Sequence, residues 1–106
     1  MDNLEGTAFR AVLYTTGRKT GREHAVKLRA VMYQGKVYFS RHRPDSDWFQ
    51  NAVADPRVKV GIGDASHEGR AAEVTDAGLG RKISELKYPG EPRASENRVS
   101  IGVTLS

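Results

Sequence analysis

The sequence contains no cysteine. Disulfides and thiolate metal sites are therefore excluded, and a reducing cytoplasm is the expected home. Long apolar runs are missing too, since none approaches the roughly 18 residues that a membrane span needs. The opening "MDNLEGTAFR" is acidic and has no apolar centre, so it does not read as a signal peptide. Acids are nearly absent from one stretch. Between Arg10 and Arg43 nine cations stand against Glu23 alone, although the whole chain carries only +4. A field of one sign over the first third concentrates anions near it. Nucleic acid, an anionic cofactor and an acidic lipid are the partners that such a field admits.

What is present suits one domain spanning residues 1–106. A chain this long buries roughly two-thirds of the surface that its unfolded form exposes. Hydrophobic content of 38% and a mean hydropathy of −0.58 suit a thin core under polar surface strands.

The order of elements follows from period. "TAFRAVLYTT" is rich in β-branched and aromatic residues and reads as a strand over 8–16. "GRKTGRE" supplies a turn. "HAVKLRAVMY" alternates, with Val26, Leu28, Ala30 and Met32 on one face and Lys27, Arg29 and Val31 on the other. "QG" is a hairpin turn and "KVYFSR" the third strand. The period then changes. Trp48, Phe49, Ala52 and Val53 share one helical face, which Ser46 or Asp45 can cap and Pro56 ends. "RVKVGIG" and a weaker "HEGRAAEVT" are the fourth and fifth strands, and "GIGDAS", Gly61 to Ser66, reads as a turn between them. Leu79, Ile83 and Leu86 recur at helical spacing before Pro89, and "RVSIGVTL" closes the chain as a sixth strand. The expected fold is mainly β with two short helices, six antiparallel strands forming a closed or nearly closed barrel.

Few patterns carry chemistry. The turn between Gly17 and Gly21 is neither a Walker loop nor a dinucleotide fingerprint. It does frame Arg18, Lys19 and Thr20 with residues that expose backbone N–H groups, and such cations add charge-assisted hydrogen bonds to phosphate or carboxylate. An anion site and a solvated hairpin tip are both open here. "SRHRP", from Ser40 to Pro44, leaves the third strand as a second basic candidate or a solvated loop. Trp48 and Phe49 read as core. His24, His42 and His67 lack metal-ligand spacing, so no metal is expected.

Together, "LYTTGRKTGREHAVKL", "GKVYFS" and "DWFQNAVADPRVKVGIG" resemble the deazaflavin-dependent nitroreductase family, a branch of the flavin/deazaflavin oxidoreductases. Trp48, Phe49 and Asn51 match its helix, and Ala54, Pro56 and Val58 the segment after it. The resemblance implies a split β-barrel and an 8-hydroxy-5-deazaflavin coenzyme, whose phosphodiester and polyglutamate tail are anionic. Carried over by residue, Arg18 and Lys19 hold the phosphate or tail, with Thr20 and Gly21 in the same turn. His24 and Lys27 stand where relatives carry an Arg-like donor and a Pro. Ser40, Arg41 and His42 fall near the ring. Tyr88 and Pro89 are kept while further substrate-side tyrosines are lost, and the proton donor is either Tyr88 or bulk water.

The resemblance thus implies a reductase that passes hydride from the reduced coenzyme to a planar small-molecule acceptor, a quinone or nitroaromatic. FMN in the same groove, and a carrier without turnover, are the near alternatives. A small basic nucleic-acid-binding barrel is the distant one, with Tyr14, Tyr38 and Phe39 as stacking platforms. No nucleic acid is expected on the leading reading. Split barrels often pair through their sheets, so a homodimer is carried as an expectation. As a hairpin tip, the turn should tolerate loss of both Arg18 and Lys19.

Overall fold

The computed structural model describes residues 5–41, 47–87 and 99–105, with the backbone alone for Arg41 and Val99. Its strands are β1 (Ala8–Thr16), β2 (Glu23–Tyr33), β3 (Lys36–Arg41), β4 (Arg57–Ile62), β5 (Ala65–Glu73) and β6 (Val99–Leu105). Two helices interrupt them, α1 (Asp47–Ala54) after β3 and α2 (Ala77–Lys87) after β5. All strand pairs are antiparallel, and they close a barrel in the order β1-β2-β3-β6-β5-β4. The expected class and element order hold. The fifth strand starts earlier than its alternation suggested, because the turn before it is only Gly63 and Asp64. The proposed caps of α1, Asp45 and Ser46, lie outside the described residues.

Alternation sets the inside of the barrel. Ala11, Leu13 and Thr15 of β1 point inward against Ala30 and Met32 of β2, Val37 and Phe39 of β3, Val58 and Val60 of β4, and Ile101 and Val103 of β6. α1 packs against β1, β5 and β6 and buries Trp48, Phe49 and Ala52 in this core, whereas Val53, expected on the same face, is exposed because the face turned to the barrel takes Asn51 instead. Trp48 sits edge-on to both Phe39, at 6.4 Å, and Phe49, at 6.0 Å. Edge-to-face contact of this kind adds to the area that the rings bury.

α2 explains a residue that alternation alone leaves odd. Val31 lies on the polar face of β2 yet is fully buried, because α2 covers that part of the outer wall with Ile83, Leu79 and Leu86. Tyr38 lies in the same layer. Its ring crosses β6 at Gly102, where an added Cβ would come within 2.7 Å of Tyr38 Cε1. Asp76 caps α2, accepting from the backbone N–H groups of Gly78 at 2.8 Å and Leu79 at 3.2 Å.

Candidate functional site

The end of β1, the turn into β2 and the first turn of α1 meet around a groove of about 460 Å³. Arg18, Lys19, Thr20, His24, Asp47 and Trp48 are among its walls. The turn is closed by its own backbone: Gly17 N donates to Arg22 O at 2.7 Å and Gly21 N to Gly17 O at 2.8 Å. At Gly17 an added Cβ would stand 2.6 Å from His24 Nε2 and 2.7 Å from Thr20 Oγ1. Glycine there lets both side chains close over the backbone.

The two cations of the turn differ. Arg18 is tied to α1. Its backbone N–H and its Nη1 both donate to Asn51 Oδ1, at 3.2 and 2.7 Å, and its Nη2 lies 3.5 Å from Asp47 Oδ1. Lys19 is exposed and makes no hydrogen bond or ion pair among the described residues. Two buried groups in the groove wall, Thr15 Oγ1 and Trp48 Nε1, also lack a partner among the described residues.

Of the residues singled out in the sequence, the structure therefore brings Arg18, Lys19, Thr20 and His24 together. Gly21 serves the turn with φ +70°. Lys27 stands elsewhere, on the outer face of β2, beside a second groove of about 770 Å³ that Arg10 and Arg29 also line. Ser40 is buried beneath α2 and does not line the first groove. Its carbonyl and hydroxyl oxygens accept from Lys87 Nζ at 3.1 and 3.2 Å. The side chain of Arg41, and all of His42 and Tyr88, lie outside the described residues. Trp48 is both core, as expected, and groove wall.

Asn51 and Lys87 carry contacts that the sequence reading assigned to no role. Each had a signal: a polar side chain on the apolar face of a helix, Asn51 after Trp48 and Lys87 after Ile83, needs a buried partner. The shifted ionisations lie away from the groove. Burial, then the neighbouring Tyr33 phenol, pushes the Tyr38 phenol above its ordinary range. Hydrogen bonds from Arg57 hold Asp55 below the usual carboxylate range.

The nucleic-acid alternative loses two of its three platforms here. Phe39 and Tyr38 are buried, so neither can stack a base. Tyr14 is half-buried, with Lys59 Nζ 5.7 Å from its ring centre.

Comparison with known proteins agrees. Residues 2–104 match the family model described as F420H(2)-dependent quinone reductase. No curated protein matches the chain. Among solved structures, a conserved hypothetical protein from Mycobacterium tuberculosis is 20% identical with a TM-score of 0.76, over 94% of this chain and 74% of that one. An F420-H2 dependent reductase is 22% identical with a TM-score of 0.68, over 89% and 92%. A putative pyridoxamine 5'-phosphate oxidase from Listeria innocua is 19% identical with a TM-score of 0.72, over 92% and 83%. At these identities the structures establish the shared barrel. The family model spans nearly the whole sequence, and on that ground the chain belongs to the F420H(2)-dependent quinone reductase family, whose members are deazaflavin-dependent oxidoreductases.

Proposed function

We propose that the groove between the Gly17–Gly21 turn and α1 holds the phosphodiester and acidic tail of the deazaflavin coenzyme, and that the acceptor is a quinone-like or nitroaromatic molecule. The observation that carries this reading is Lys19, an exposed ammonium with no partner among the described residues, set beside Thr20 and His24 on one groove. The donor set fits the group. Ammonium, guanidinium, hydroxyl and imidazole side chains converge there, and phosphate or carboxylate oxygens are what such donors bind.

When bound, the reduced coenzyme supplies a hydride. The chain's part is to bind, orient and exclude water. Lys19 and Thr20 donate to the anion. Asn51 fixes Arg18 through two hydrogen bonds, so that cation loses little freedom when a ligand arrives. Trp48 gives the groove an apolar wall. Ser40 is engaged by Lys87, and Arg41 and His42 are kept as ring contacts on the family resemblance alone. Tyr88 is the proposed source of the proton that a reduced acceptor oxygen takes up.

A fluorescence titration with the coenzyme tests this, on the wild type and on Lys19→Ala. One charge-assisted hydrogen bond at an open site is worth about 1.5 kcal/mol, so the variant should bind about tenfold more weakly. Equal affinity would contradict the assignment of Lys19, and tighter binding of FMN than of the coenzyme would assign the groove to a flavin instead.

A further inference from the structure

Arg18 has a divided guanidinium. Nη1 donates to Asn51 Oδ1 at 2.7 Å in a part-buried bond. Nη2 faces Asp47 Oδ1 at 3.5 Å, and the Asp47 side chain is 91% exposed. Asp47 and Asn51 are four residues apart on α1, so they share one helix face. The same face thus carries both the amide that fixes Arg18 and a carboxylate on the edge that the amide leaves free. Asp47, Arg18 and Lys19 all line the groove.

We propose that Asp47 is a tethered anion that competes with the ligand's phosphate or carboxylate for Arg18, and so sets the affinity and selectivity of the groove. The inference rests on the groove being the anion site proposed above. An exposed pair at this distance is weak, and a ligand phosphate oxygen accepting from Nη2 displaces it. Displacement does not remove Asp47, which stays covalently attached nearby and repels the newcomer. A ligand with a single anionic group gains too little to overcome both costs. One that also meets Lys19 and the groove wall overcomes them. Rejection of the wrong ligand through a built-in like charge is a general route to specificity.

The test compares Asp47→Asn with Asp64→Asn, an equal charge change in the exposed β4–β5 turn. Both proteins are titrated with the deazaflavin coenzyme and, separately, with inorganic phosphate. Asp47→Asn should tighten coenzyme binding about three- to tenfold, the scale of one surface ion pair plus relieved repulsion. It should also raise the affinity for inorganic phosphate, while Asp64→Asn should change either by less than about twofold. A double-mutant cycle then separates direct competition from a general field effect. In an Arg18→Ala background the gain from Asp47→Asn should shrink to that of Asp64→Asn. A full gain without Arg18, equal effects of the two substitutions, or weaker binding by Asp47→Asn would each overturn the proposal. If the coenzyme binds none of these proteins, the cofactor reading of the groove falls, and this inference falls with it.

Discussion

Thr15 and Trp48 carry a cost into the folded state. The Thr15 hydroxyl and the Trp48 indole N–H are both buried and without partners among the described residues. A buried polar group left unpaired costs about 1–3 kcal/mol. Thr15→Val keeps the shape and removes the hydroxyl. Urea unfolding should therefore find the variant at least as stable as the wild type, and more stable by up to about 1 kcal/mol. A clear loss of stability would mean that the hydroxyl is paired in solution. At this scale the sequence is a partial guide. "GRKTG" marks the place of the site, because glycine framing and charge are local properties. It does not divide labour between the two cations. Arg18 is drawn away by Asn51, 33 residues later, and no local pattern records a contact of that range.

The elements were more legible than their contacts, because strand and helix periods differ and each repeats several times within one element. The alternation of β2 survives except at Val31, which α2 covers, and the helical spacing of Trp48, Phe49 and Ala52 survives without Val53, which is exposed. Pairing across distance was not legible. β6 lies between β3 and β5, and nothing in "RVSIGVTL" names its neighbours. The docking of α1 is a second such contact, and it changes what the turn can tolerate. Arg18 is an anchor as well as a hairpin residue, so the turn is less free to vary than a solvated tip. Asn51→Ala removes the acceptor for both Arg18 bonds. Hydrogen bonds to a charged group are worth about 1.5–3 kcal/mol, and the partial exposure of Arg18 lets water recover some of that. We expect a loss of about 1 kcal/mol in denaturant unfolding, with weaker coenzyme binding because Arg18 is no longer fixed. Unchanged stability together with unchanged affinity would remove Asn51 from this account.

Over the whole molecule, five of the nine cations counted between Arg10 and Arg43 gather, among the described residues, in two places. One is the groove at the Gly17–Gly21 turn. The other is the outer wall of β1 and β2, where Arg10 sits directly across from Arg29 and Lys27 lies nearby. Like charges directly opposite one another on a sheet are unfavourable, and this wall is the rival place for an anion to gather. A count along the sequence cannot separate the two, because both draw on the same third of the chain. The distinction bears on the central claim, that the coenzyme's anionic part sits in the groove. Amide and indole chemical-shift mapping of the wild-type protein during a coenzyme titration tests it most directly, since Trp48 is the sole tryptophan. The account predicts shifts at Lys19, Thr20 and Asp47 and at the Trp48 indole N–H. Shifts confined to Arg10, Lys27 and Arg29, with the groove unmoved, would contradict it.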